Sequence, residues 1–134
     1  MKKVMAFGSF DVLHKGHEAY LKEARSYGKH LIVIVAKDEN ILRFKGRKAK
    51  HDEEYRLRQV KRLDFVDEAV LGHKDDIFEV LGEFKPNIVC LGYDQSTISE
   101  DALKNELKKF NITAKIVRAK SFKPGIYKSS ILKK

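Results

Sequence analysis

The stretch that decides the fold reads Met5-Ala6-Phe7-Gly8-Ser9-Phe10-Asp11-Val12-Leu13-His14-Lys15-Gly16-His17. Its first residues belong to a short apolar run, which predicts a buried strand, and Gly8 ends that run. Residues 18–25 then place apolar side chains at helical spacing. We therefore expect His14 and His17 at a turn from strand to helix, where the first N–H groups of the helix and its dipole attract anions. The pattern predicts a phosphate site. Because Gly8 and Gly16 have no Cβ, a phosphate could approach the backbone closely there.

Strand and helix patterns alternate along the rest of the chain. Further strands are predicted at residues 31–36, 68–71, 87–92 and 114–118. This alternation predicts an α/β fold, a single Rossmann-like, doubly wound domain over residues 1–134 with a mostly parallel five-stranded sheet. Ligands of such sheets bind at the carboxyl ends of the strands. Four segments qualify by position, namely residues 8–17, 37–50, 92–95 and 120–130.

Composition restricts the class of protein. The 134 residues are 43% hydrophobic and 35% charged, without an apolar run near the length of a membrane span and without a signal-peptide pattern. We expect a cytoplasmic protein that does not enter a membrane. The single Cys90 lies in an apolar run, which is typical of a buried hydrophobic residue. The net charge of +9 favours anionic partners such as nucleotides or nucleic acid, although a lysine-rich solvated surface explains it equally well.

A polar, basic loop is predicted over residues 37–50, after the second predicted strand, and its second part is strongly cationic. Five of the eight residues from position 43 to position 50 are Lys or Arg. With Gly46 among them, the segment is predicted to be a flexible loop that folds over a triphosphate and neutralises charge as pyrophosphate leaves. The alternative is a solvated surface loop.

The sequence resembles the small nucleotidylyltransferases. Gly8-Ser9-Phe10-Asp11 followed by His14-Lys15-Gly16-His17 is similar to their (T/S)-F-D…H-x-G-H motif. This superfamily includes glycerol-3-phosphate cytidylyltransferase, pantetheine-phosphate adenylyltransferase and archaeal FAD synthase. The run Leu91-Gly92-Tyr93-Asp94-Gln95 resembles the archaeal FAD synthases most. Asp64 stands where cytidylyltransferases carry an arginine, which favours the same group.

The resemblance implies roles for individual residues. It implies catalytic roles for His14, His17 and Lys45; nucleotide contacts for Ser9, Phe10, His14, His17, Gly92, Asp94, Ser129 and Ser130; and phosphate or leaving-group contacts for Arg56, Lys48 and Lys123. Two of these assignments have simpler alternatives. Asp94 has the chemistry of a turn-forming residue, and a helix N-cap accounts for one of the two serines.

The implied reaction is that of FAD synthases, in which ATP and FMN give FAD and pyrophosphate. Because the phosphate of FMN is already anionic, the protein needs to position the phosphates and neutralise their charge, with Mg²⁺ bound through the ATP. A homodimer is expected. The alternatives are a cytidylyltransferase that acts on glycerol 3-phosphate or a related polyol phosphate, and a non-catalytic module that binds nucleotides or nucleic acid. Nucleic acid is the less favoured partner, and the hypothesis that the protein binds it predicts an affinity that falls with salt.

Overall fold

The structure is a computed structural model that describes residues 2–92 and 98–120, and these ranges contain five strands and five helices. In chain order the elements are β1 (Lys3–Gly8), α1 (Lys15–Ser26), β2 (His30–Val35), α2 (Asp38–Lys45), α3 (Glu53–Lys61), β3 (Glu68–Leu71), α4 (Glu79–Phe84), β4 (Ile88–Leu91), α5 (Glu100–Lys109) and β5 (Lys115–Arg118).

The strands form one sheet in the order β3-β2-β1-β4-β5, and every neighbouring pair is parallel. The predicted α/β fold with a parallel five-stranded sheet is therefore confirmed. The chain runs outward from β1 to β2 and β3 on one side, and then returns to the other side with β4. The order of strands switches direction beside β1, which is where open parallel sheets bind their ligands.

The core has two apolar layers, one on each face of the sheet. Along β1, Val4 and Ala6 join one layer while Met5 and Phe7 join the other, because successive side chains of a strand point to opposite faces. Both faces are covered, as the continuous apolar runs predicted. Cys90 is buried in the first layer, and burial raises the pKa of its thiol to about 12. The expectation that Cys90 is a buried hydrophobic residue is confirmed.

The cationic segment is partly helical, so the prediction of a loop over residues 37–50 is wrong for α2. Acidic residues occupy the first turn of this helix and basic residues the last, an arrangement that the helix dipole favours. Ile41 is buried on its inner face. Gly46 ends the helix with φ 74°, a left-handed conformation that glycine adopts readily, and its N–H donates to the carbonyl oxygen of Leu42.

Across the described ranges, none of the helices combines the length and the apolar character that a membrane crossing requires.

Candidate active site

A cavity of about 400 Å³ opens at the carboxyl ends of the strands. It is lined by Phe7, Gly8, Ser9, Phe10, His17, Tyr20, Ile34, Ala36, Asn40, Ile41, Phe44, Lys45, Gly72, Ile77, Gly92 and Ile98. We group Ser9, His17 and Lys45 as the histidine half of this lining, and Ile34, Ile41, Phe44 and Ile77 as its apolar half. The position at the switch in strand order matches the expectation from the sequence.

The two motif histidines lie against each other at the start of α1. Their rings stack with centroids 4.0 Å apart and planes inclined by 24°. His14 is the N-cap residue, and its Nδ1 accepts a hydrogen bond from the backbone N–H of Gly16 at 3.0 Å. The Nδ1 of His17 accepts from the backbone N–H of His14 at 3.3 Å. The histidines therefore cap the helix and fix each other's ring orientation.

These hydrogen bonds determine the tautomer of each neutral ring. Because Nδ1 is the acceptor in both, the proton is on Nε2, and each ring presents an N–H donor there. Two such donors at a helix N-terminus form an environment that attracts an anion. The geometry agrees with the phosphate-binding role predicted for His14 and His17, and the role itself stays a prediction.

The ring of Phe10 packs against the motif histidine His17. Its side chain is buried, and its ring meets the ring of His17 edge-on at 5.5 Å. The backbone of Phe10 has φ 53°, an uncommon conformation for a non-glycine residue. A Cβ atom on Gly8 would lie 2.5 Å from Cζ of Phe10. This ring therefore occupies the space that a Cβ of Gly8 would fill, and the close approach of a phosphate to Gly8, which lines the cavity, stays a prediction.

Lys45 reaches the histidine half from the last turn of α2. Its Nζ donates to Oγ of Ser9 at 3.2 Å, so the sequence-predicted Lys45 and Ser9 are brought together beside His17. Gly92 lines the same cavity at the end of β4. Lys48 is exposed in the loop that follows α2. These placements are compatible with the predicted roles without testing them.

The side chain of Arg56 is buried and holds backbone segments together, which corrects the prediction that it contacts a phosphate. The side chain is fully buried on α3. Its Nε donates to the carbonyl oxygen of His51 at 3.0 Å, and its Nη1 donates to those of Ser9 and Ala36 at 2.9 and 2.7 Å. Its Nη2 pairs with Oδ1 of Asp38 at 2.6 Å. The guanidinium thus ties together the segments that follow β1 and β2 and the start of α3.

Asp11 holds the end of the cationic loop. Its carboxylate accepts hydrogen bonds from the backbone N–H groups of Lys50 and His51 at 2.7 and 2.8 Å. Partial burial raises the pKa of Asp11, but these two donors and the charges of His51 and Arg56 outweigh burial and lower it overall. The carboxylate is therefore ionised at neutral pH and anchors the loop to the histidine motif.

Sequence reasoning missed the apolar half. Its side chains come from β2, from α2 and from the segment after β3, and none of them belongs to a motif. The sequence did contain one indication of it, because Ile41 and Phe44 are three residues apart and such residues share one face of a helix. The predicted contacts of Asp94, Lys123, Ser129 and Ser130 lie outside the described residues.

Comparisons with known proteins agree with this geometry. A family model described as cytidylyltransferase-like matches residues 5–134. The FAD synthase of Ferroglobus placidus is 44% identical over 121 residues, which are 90% of this chain and 78% of the relative. The FAD synthase of Thermoplasma volcanium is 42% identical over 134 residues, 100% of this chain and 93% of the relative. That of Archaeoglobus fulgidus is 46% identical over 114 residues, 85% and 81% of the two chains.

Two solved structures are also similar. A crystal structure of a protein from Thermoplasma volcanium, described as a lipopolysaccharide core biosynthesis protein, has a TM-score of 0.84 and 43% identity and covers 91% of this chain and 98% of its own. The pantoate-beta-alanine ligase of Francisella tularensis has a TM-score of 0.63 at 18% identity, covering 92% of this chain and 61% of its own. The second likeness concerns the fold alone.

Proposed function

This chain is a nucleotidyltransferase of the cytidylyltransferase-like family, and we propose that it is an FAD synthase that transfers AMP from ATP to FMN. Relatives named FAD synthase that are 40–46% identical over most of the chain support the proposal. The observation that carries it is that one cavity is lined both by the histidine half and by the apolar half. Such a lining suits a reaction that joins phosphates beside polar and charged groups while a flat, largely apolar ring lies against apolar side chains.

In the proposed reaction, a phosphate oxygen of FMN attacks the α-phosphorus of ATP. A new P–O bond forms there, the bond from the α-phosphorus to the bridging oxygen breaks, and its electron pair leaves with pyrophosphate. No proton has to be removed from the attacking group, because the phosphate of FMN is anionic at neutral pH. The chain therefore needs no general base, and its work is to orient the phosphates and stabilise their charge.

The residues of the histidine half divide this work. In this proposal the Nε2–H groups of His14 and His17 donate to the triphosphate, and one of them donates to the charge that develops at the α-phosphate; the Nδ1 hydrogen bonds support it by leaving the proton on Nε2. Lys45, held beside Ser9, offers a positive charge to the leaving pyrophosphate, and Lys48 offers a second from the loop. Removal of one such donor typically costs ~10²–10³ in rate.

Mg²⁺ is proposed to reach the site with the triphosphate. Magnesium prefers oxygen ligands, but both carboxylate oxygens of Asp11 already accept hydrogen bonds from the loop, and the histidine half offers mainly N–H donors. The donor set therefore fits a metal held by ATP itself, where it supplies charge neutralisation. A homodimer in the cytoplasm is part of the same proposal, and light scattering of the purified protein tests the assembly.

A cytidylyltransferase that acts on a polyol phosphate is the second candidate. It is favoured by the matching family model, which is described as cytidylyltransferase-like. The apolar half argues against it, because a polyol phosphate has hydroxyl groups along its length and leaves apolar walls without a partner. A module that binds nucleotides or nucleic acid without turnover is the third.

The deciding experiment measures pyrophosphate release with Mg²⁺ and either ATP or CTP against FMN, riboflavin or glycerol 3-phosphate. Riboflavin is the matched control, since it has the flavin ring without the attacking phosphate. We expect pyrophosphate release only from the pair ATP and FMN, and we expect chromatography to show FAD as the second product. Release with CTP plus glycerol 3-phosphate would establish the second candidate. Silence throughout, combined with salt-sensitive retention of nucleic acid, would establish the third.

A further inference from the structure

Asn40 is a polar side chain in an apolar place. It lies on the first turns of α2, is 3% exposed and lines the cavity. Among the described residues, Asn40 and Arg56 are the two buried polar or charged side chains. Arg56 is committed to four protein acceptors. Asn40 therefore needs its own explanation, because burying an amide costs free energy unless its hydrogen bonds are made.

The protein holds the amide of Asn40 in a defined orientation. Nδ2 donates to the carbonyl oxygen of His73 at 3.1 Å, and Oδ1 accepts from Nη2 of Arg43 at 3.4 Å. Arg43 is itself fixed by a hydrogen bond of 2.8 Å to the carbonyl oxygen of Lys74. An asparagine side chain has two N–H donors and two oxygen lone pairs. Within the ranges described, these bonds account for one donor and one lone pair, so a donor and an acceptor remain for a ligand.

The surroundings of this amide limit the ligand. Ile41 and Phe44 lie on the same helix, and Ile34 and Ile77 line the cavity from β2 and from the segment before α4. Apolar walls with a single amide suit a flat heteroaromatic ring that carries a donor and an acceptor side by side on one edge. The isoalloxazine ring has such an edge, because its N3–H stands between two carbonyl groups.

We propose that Asn40 is the specificity-determining residue for the acceptor and that its amide pairs with the N3–H and a neighbouring carbonyl of the flavin ring. The inference rests on the proposed function, since it assigns the apolar half to the flavin. Oδ1 accepts from N3–H while Nδ2 donates to the carbonyl oxygen. A ligand without this edge leaves the buried amide with unmade hydrogen bonds, which is how such sites reject analogues.

The test compares FMN with N3-methyl-FMN, which keeps the phosphate and the ring but loses the N3–H donor. For the wild-type protein we expect kcat/KM to be about tenfold lower with the methylated acceptor, the upper range for one hydrogen bond. For Asn40→Leu we expect kcat/KM with FMN to fall by about the same factor, mainly through KM, and the preference between the two flavins to disappear. KM for ATP should not change in either case.

Asn105→Leu is the matched control, because Asn105 is exposed on α5 and the substitution is chemically the same. It should keep the wild-type preference for FMN. Asn40→Thr, which retains a donor and an acceptor, provides a second variant in case the leucine prevents folding, and should retain part of the preference. Wild-type protein that accepts both flavins equally would overturn the assignment without any variant. Wild-type protein that gives no FAD would instead overturn the proposed function.

Discussion

The two halves of the cavity are built in different ways. The histidine half comes largely from one stretch, residues 9–17, in which neighbouring backbone and side-chain groups orient each other. The apolar half is assembled from three places in the chain, namely β2, α2 and Ile77 in the segment after β3. Under the proposed function, the groups that act on the phosphates come largely from one local stretch, whereas those that contact the acceptor come together by the packing of separate elements. A motif identifies the reaction, and the fold is needed to see the acceptor.

The largest effect is expected where the two halves are joined. Arg56→Met replaces the guanidinium with an apolar chain of similar length and leaves the carbonyl groups of Ser9, Ala36 and His51 without their donor. We expect the free energy of unfolding to fall by ~3–5 kcal/mol, because each buried acceptor left without a donor costs about 1–3 kcal/mol. Urea unfolding followed by circular dichroism measures the loss.

Arg58→Met is the control for this prediction. Arg58 is exposed two residues along the same helix, so the same substitution there should change the free energy of unfolding by less than ~0.5 kcal/mol. Equal stability of the two variants would show that the buried network does not join the halves energetically.

The next largest effect belongs to the histidine half alone. His17→Ala removes the Nε2–H donor, and we expect kcat to fall ~10²–10³-fold while KM for FMN changes little. Because His17 also caps α1, His17→Asn is the control, since its amide oxygen can accept the N–H of His14 and preserve the cap. Steady-state pyrophosphate release should show both variants to be slow. A kcat within a few-fold of wild type in His17→Ala would remove His17 from the catalytic groups.

The sequence was informative where chemistry and local structure coincide. The alternation of strand and helix patterns predicted the parallel sheet, and the motif predicted two histidines at a helix start. The acidic and basic ends of α2 were visible as well, but the density of charge over residues 37–50 favoured a loop. Ile41 is buried on the inner face of α2. Its packing favours the helix, and a count of charged residues does not reveal it.

Arg56 illustrates what sequence cannot decide. A guanidinium binds phosphates and backbone carbonyl groups through the same N–H donors. The residue type therefore predicts that Arg56 binds oxygen acceptors, but it does not decide whether these belong to a ligand or to the protein. Its partners are set by the segments after β1 and β2, which meet only in the folded sheet. Gly8 is similar, because glycine predicts close approach and the structure supplies the ring of Phe10 as the group that approaches.

A smaller effect is expected in the apolar half. Phe44 is 48% exposed and lines the cavity, so Phe44→Ala should leave stability nearly unchanged and weaken flavin binding. We expect KM for FMN to rise roughly tenfold, which corresponds to ~1.4 kcal/mol of lost apolar contact, while KM for ATP stays constant. Leu42→Ala, on the same helix and 47% exposed outside the cavity lining, is the control. A rise in KM for ATP instead would mean that the halves are assigned to the wrong substrates.

The smallest effect concerns His73, whose carbonyl oxygen holds Asn40. Its Nε2 lies 2.9 Å from Glu83 and its Nδ1 3.9 Å from Glu79, so both ring nitrogens face carboxylates. The hydrogen bond to Glu83 raises the pKa of His73 against a smaller opposing effect of burial, and the charges of Glu83, Glu79 and Asp76 raise it further. A raised pKa means that the folded state binds the proton more tightly than the unfolded state. The resulting stability is present below the ordinary pKa of ~6.5 and is lost as the pH rises through the folded value.

His73→Gln should therefore cost more stability at pH 6 than at pH 9. Because the side chain of His73 is 36% exposed and Glu83 is 47% exposed, solvent screens the pair and the expected difference is ~0.2–1 kcal/mol. Urea unfolding of His73→Gln, Glu83→Gln and the double variant at both pH values isolates the pair. A coupling that is the same at pH 6 and pH 9 would show that protonation of His73 does not stabilise its contact with α4. The kcat of His73→Gln should match wild type at both pH values, since His73 does not line the cavity and is not among the residues proposed to act on the phosphates.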